Sequence, residues 1–298
     1  MNFKMIAAAV ALVATGAANA SLDDFYTGNS SLGFLAYNTT TTSSVFVDLG
    51  VNFNQFVTPY TSFGNPGQKS AGAYSAANTT LVWNFATGTF TANGVVQTGA
   101  TNNWSAYGSF LADIAGSTQN WAVIAGDGNA QFGADSANSF LTTGTPTATN
   151  LNNQKGSNTA NMALVNELYT TQAGLLGSAD NGSYFTTDPS APGYVAGNTK
   201  FATNWQNNLK WASTTQGTQS NFYLNVGDGT EYVVGVSPEG SDITGLKNGI
   251  GTWTLDAQGQ TLTWATASVA AVPEPSSYAL ALMGLAALGA LARRRASK

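Results

Sequence analysis

The 298-residue chain contains no cysteine and no histidine. Without thiols it forms no disulfides, so an exported domain built from it must hold together by packing and hydrogen bonding. Without imidazole or thiolate, Ser-His-Asp and Cys-His nucleophilic systems are excluded, and with them almost every zinc or copper site. Charge is scarce too: Asp, Glu, Lys and Arg make up 8% of the chain, against about a quarter in ordinary globular proteins. The arginines are confined to Arg293-Arg294-Arg295. Residues 21–271 therefore lack the commonest bidentate clamp for carboxylate or phosphate. That stretch carries five lysines against fourteen carboxylates, a net charge of −9. Such a surface repels phosphate backbones and anionic membranes, so nucleic acid is not an expected partner.

What is present is apolar and small-polar. Hydrophobic residues make up 43% of the chain, enough to build a core and exclude wholesale disorder. Thirty-three glycines and abundant Asn, Thr and Ser suit turns and half-buried strands. The two ends are written differently. Residues 1–20 have a positive start at Lys4, an apolar run from Ile6 to Val13 and the small-x-small site Ala18-Asn19-Ala20. This pattern predicts a signal peptide and a mature chain beginning at Ser21.

At the other end, Val272-Pro273-Glu274-Pro275 precedes an apolar run from Tyr278 to Ala292, closed by Arg293-Arg294-Arg295. As a helix that run spans about 22 Å, short of the roughly 30 Å hydrocarbon core. Its many alanines and glycines keep its hydrophobicity modest. The pattern predicts a transmembrane helix that halts during export, with the arginines held on the cytoplasmic side. The prolines stop the helix from extending upstream. This tail, paired with the signal peptide, resembles the PEP-CTERM sorting signal of Gram-negative bacteria. The resemblance implies recognition and tail removal by an exosortase, transient insertion in the inner membrane, a host that makes exopolysaccharide, and a product at the cell surface or in the extracellular matrix. An ordinary single-pass anchor is the rival reading. The body, in Ser31-Leu32-Gly33-Phe34 and Gly251-Thr252-Trp253-Thr254-Leu255, more loosely resembles the uncharacterised ectodomains that precede such tails. That likeness implies no activity.

Within the body, strands are expected at 32–37, 45–49, 81–85 and 121–125. A further pair, 222–226 and 232–236, flanks Gly227-Asp228-Gly229. Trp253 and Leu255 are expected to face Leu262 and Trp264 across a hairpin. Apolar residues at helical spacing mark Trp104 to Ile114, Met162 to Tyr169 and Phe201 to Leu209. Residues 142–161 read as a polar exposed loop. The expected fold of 21–271 is mainly β, an antiparallel sandwich or jelly roll with a few short helices.

Candidate chemistry is sparse. Asp127 and Asp228 stand in Gly-Asp-Gly turns whose oxygens suit calcium, though the same tripeptide suits a bare hairpin turn. No other cofactor is implied. Trp83, Trp121, Trp253 and Trp264 lie on apolar strand faces and read as core. Trp104, Trp205 and Trp211 lie outside clear strands and are candidates for sugar stacking. No pair of carboxylates is placed within catalytic reach by the sequence. The expectation is a non-enzymatic surface or matrix protein associated with exopolysaccharide or with other matrix proteins. A carbohydrate-binding module and a carboxylate-based enzyme acting on polysaccharide are the alternatives.

Overall fold

The computed structural model describes residue 22 and residues 29–38, 40–57, 72–98, 102–127, 139–144, 168–176, 181–195, 214–227, 233–235 and 251–266. For 127, 139–140, 223–227 and 233–235 it describes backbone alone. The expected signal peptide, the tail from Val272 onward and the helix expected at 201–209 lie outside the described residues. Residues 1–266 form one compact unit, and its described part is treated below.

The chain opens with β1 (Ser31–Asn38) and β2 (Ser43–Asn52), followed by one helical turn, α1 (Phe53–Phe56). The Gln55 side chain accepts the Asn52 N–H at 2.7 Å, which ends the strand and starts that turn. Next come β3 (Thr80–Asn84), β4 (Thr89–Ala92), β5 (Val95–Val96) and helix α2 (Ser105–Asp113). β6 (Asn120–Asp127) and β7 (Ser139–Gly144) follow, then helix α3 (residues 168–176) and β8 (Ser183–Thr186). The last strands are β9 (Thr214–Thr215), β10 (Gln219–Gly227), β11 (Val233–Gly235), β12 (Thr252–Leu255) and β13 (Thr261–Ala265).

The mainly β, antiparallel expectation describes the molecule. Its strands join in a single hydrogen-bonded sheet, in the order β5-β4-β3-β13-β12-β10-β7-β6-β1-β2-β8, with β9 on β6 and β11 on β10. The sheet curls so that its inner face packs against itself. β3 and β2 lie near opposite ends of that order, yet the Trp83 indole N–H donates to Leu49 O at 2.9 Å. Phe34 on β1 lies 5.3 Å, ring to ring, from Phe85 beside β3. Phe56 on α1 meets Trp253 on β12, Trp264 on β13 and Phe222 on β10, at 6.1, 5.4 and 5.7 Å. Trp83, Trp121, Trp253 and Trp264 are fully buried, as their strand positions predict. Trp253 and Trp264 are register partners, as are Leu255 and Leu262.

Two burial regimes follow from this curl. β1 and β2 are buried along nearly their whole length. Their inner residues, such as Leu32, Phe34 and Val47, join the main core. Their outer residues, Leu35 and Phe46, join Ala122 and Ile124 of β6 under Leu168, Tyr169 and Leu176 of α3. By contrast β3, β4, β12 and β13 are covered on one face only. They alternate strictly between core residues and more exposed ones that are mostly small and polar, with Val82 and Ala265 the apolar members. Thr252 and Thr254 alternate with Trp253 and Leu255, and Thr261 and Thr263 with Leu262 and Trp264.

Three expectations require correction. Residues 142–144 belong to β7, and Thr142 and Thr143 are buried. The Thr143 hydroxyl accepts the Val123 N–H at 3.0 Å, so a polar residue with high β preference sits inside the sheet. The helical stripe at Leu168 and Tyr169 runs on through residue 176. Trp104 is buried, 3% exposed, and its indole N–H donates to Asp48 O at 2.9 Å. The residue is the cap immediately before α2, and its ring packs 5.3 Å from that of Phe85 in the core.

Trp83 joins large-area burial to a bond across the curl, so Trp83→Ala should lower stability by about 3–5 kcal/mol. The edge change Val96→Ala should stay within about 0.5 kcal/mol. Urea unfolding followed by circular dichroism measures both, and equal effects would contradict the curled core.

Candidate functional site

Buried hydroxyls, an open groove and the tail are the features with chemical potential. Tyr169 projects from α3 onto β1 at the point where the β1–β2 register slips between Ser31 and Gly33. A bulge leaves ladder groups unpaired. The Tyr169 hydroxyl accepts the Gly33 N–H at 3.1 Å and lies 2.6 Å from Ser31 O and 2.7 Å from Ile124 O. Its single proton serves one of those carbonyls at a time. Gly33 has no room for a side chain here, because a Cβ would lie 2.5 Å from the Phe46 ring. Tyr107 on α2 plays a similar part at the other end of the core. Its hydroxyl takes a bond from Gln119 Nε2 at 3.0 Å and donates to Gly259 O. Burial pushes both phenols well above their ordinary value. These hydroxyls are enclosed and already bonded, so they are structural.

The groove lies at the tip of the β12–β13 hairpin and the C-terminal end of α2. It has a volume of about 420 Å³ and is lined by Leu111, Ser117, Thr118, Gln216, Gln258 and Gln260 among others. No lining residue is ionisable. Gln216 is tied down: its Nε2 donates to Ala257 O at 2.6 Å and its Oε1 accepts the Gln119 N–H at 3.3 Å. Gln258 and Gln260 are exposed. A neutral amide-and-hydroxyl lining suits a neutral, hydroxyl-rich ligand. Sequence reading does not single out these glutamines, because they come together from two turns distant in the chain, β9–β10 and β12–β13.

Asp127 is the last residue of β6, in register with Ser139. Asp228 lies outside the described residues, between β10 and β11, whose register partners are Gly227 and Val233. Among the described residues, no group of three or more Asp, Glu, His or Cys is placed to hold a metal. Of the three tryptophans considered for stacking, Trp104 is enclosed, and Trp205 and Trp211 lie outside the described residues. Among the described residues no helix is long and apolar enough to cross a membrane.

The tail is where comparison with known proteins is informative. A family model described as the PEP-CTERM protein-sorting motif matches residues 271–296. The match spans Val272-Pro273-Glu274-Pro275, the apolar run and Arg293-Arg294-Arg295. No curated protein and no solved structure matches the chain. The chain is thus an exosortase substrate, exported to the cell envelope.

The buried phenols give a pH signature. A tyrosine whose folded-state pKa is raised contributes its full stability below its unfolded pKa of about 10 and loses it as pH climbs toward the folded value. Each of Tyr107 and Tyr169 should lower unfolding free energy by about 1.4 kcal/mol per pH unit above pH 10. Urea unfolding between pH 8 and 11.5 should show this slope. The double variant Tyr107→Phe/Tyr169→Phe should be less stable at pH 8 yet flatter above pH 10. An unchanged slope would contradict the role of these two groups.

Proposed function

We propose that this is a non-enzymatic protein of the outer surface or extracellular matrix of a Gram-negative bacterium. An exosortase removes its tail, and its β domain then associates with exopolysaccharide. The PEP-CTERM match at residues 271–296 is the observation that carries this reading. The sparse charge and net −9 of residues 21–271 support a neutral polysaccharide over an anionic one. The uncharged glutamine-lined groove supports the same class of ligand and gives the carbohydrate-binding-module reading its one specific observation.

Association requires no metal on this account. The full-length protein, purified from exporting cells, should co-sediment saturably with exopolysaccharide from the same cells, and EDTA should not change the amount bound. Binding that EDTA removes would move the site to a calcium centre involving Asp127 or Asp228. Absence of co-sedimentation across the accessible concentration range would overturn the exopolysaccharide reading.

A further inference from the structure

We propose that the outer face of β4, β3, β13, β12 and β10 is the surface that binds a neutral polysaccharide chain, an inference that rests on the exopolysaccharide reading above. The strand registers bring the outward residues into rows. One row crosses the sheet as Thr91, Val82, Thr263, Thr254 and Gln219. A flanking row runs Thr80, Ala265, Thr252 and Asn221, and another Thr89, Asn84 and Thr261. Neighbours along a row are about 4.8 Å apart, and same-face neighbours along a strand about 6.8 Å apart. The result is a regular grid dominated by threonine, with Val82, Ala265, Asn84, Asn221 and Gln219 among the threonines, each threonine presenting one hydroxyl and one methyl.

Three properties of this face select its occupant. It carries no ionisable side chain in any row. The adjacent carboxylate, Asp256, sits at the hairpin turn, where its Oδ1 accepts the Gln260 N–H at 2.7 Å. A neutral partner matches that absence of charge, whereas an anionic polymer gains nothing here and is repelled by the acidic domain. Second, the hydroxyls of Thr91, Thr254, Thr261 and Thr263 enter no hydrogen bond among the described residues. A hydroxyl both donates and accepts, so the grid complements sugar hydroxyls in either role, and the methyl groups complement the C–H faces of sugar rings. Third, the rows contain no aromatic, Met or Arg residue, the types that concentrate in protein–protein interface cores. Each sugar contact on such a face is weak, so affinity accumulates along the polymer through many simultaneous contacts.

The test uses full-length protein from exporting cells and exopolysaccharide split by anion exchange into neutral and acidic fractions. Wild type should co-sediment with the neutral fraction and release it when the polymer is cut to short oligosaccharides. Thr254→Val/Thr263→Val removes two central hydroxyls while keeping shape and strand preference, and should weaken binding at least ten-fold. Thr254→Glu/Thr263→Glu should abolish it, and Ser190→Ala, at an exposed position just after β8 at the far end of the strand order, should leave it unchanged. Urea midpoints verify that each variant is folded. Wild-type binding that survives both threonine variants overturns the face assignment and leaves the exopolysaccharide reading intact. If Gln258→Ala alone loses binding, the site is the groove. Binding of neither fraction by wild type overturns both. A threonine variant that changes oligomeric mass but not binding makes a second copy of the chain the occupant and overturns the proposal.

Discussion

The closure of the curled sheet on its own aromatic layer is the constraint from which the rest of the molecule follows. A sheet of this width has one inner face, and here that face is filled by Phe34, Phe56, Trp83, Trp121, Trp253 and Trp264. Burial of such side chains supplies most of the driving force in a chain without disulfides. Direction comes from the indole N–H groups. Trp83 reaches Leu49 O, Trp104 reaches Asp48 O and Trp264 reaches Tyr74 O, each across to a different segment. These bonds satisfy donors that burial would otherwise strand, and they fix where one part of the sheet lies against another. Trp121 and Trp253 are buried without such a partner among the described residues, so the register of the closure rests on the other three.

Once the inner face is spent on the core, the outer face is decided by what covers it. Over β1, β2 and β6 it is α3, and those strands are accordingly apolar on both sides, with Gly33 admitting Phe46 and Tyr169. Over β3, β4, β12 and β13 the outward residues remain half-exposed, and they are Thr, Val, Ala and Asn. The same economy governs buried polar groups. With no histidine, cysteine or arginine available to the domain, hydroxyls, amides and indoles do the internal bonding. Tyr169 satisfies the β1 bulge, and Tyr107 with Gln119 ties α2 to the β12–β13 turn.

The strands with strict alternation were the legible ones. Trp253, Leu255, Leu262 and Trp264 announce a hairpin and its facing pairs, because a period of two combined with large apolar residues has few other solutions. The helix at Trp104 to Ile114 is legible from its stripe, but not the enclosure of Trp104, which depends on where Asp48 of β2 comes to lie. β7 is hidden by composition: Ser139-Phe140-Leu141-Thr142-Thr143-Gly144 carries hydroxyls that read as loop and become buried bonds only when β6 and β10 flank it. β4, β5 and β8 are too short to announce themselves. The joining of all strands into one curled sheet is a property of long-range pairing, which local pattern does not encode. For function the order is reversed. The tail is legible from a short stretch of sequence, whereas the threonine grid emerges only from the registers of five strands.

Address and surface together describe a protein sorted to the cell envelope with a sparsely charged, net acidic body. The most direct test of that account is the intact mass of the native protein recovered from outside the producing cells, compared with its mass in cells lacking the exosortase. The account predicts a chain that begins at Ser21 and has lost the residues after the Pro273-Glu274-Pro275 region, and a cell-associated form retaining Lys298 when the exosortase is absent. A released protein still ending at Lys298 in the wild type would contradict it.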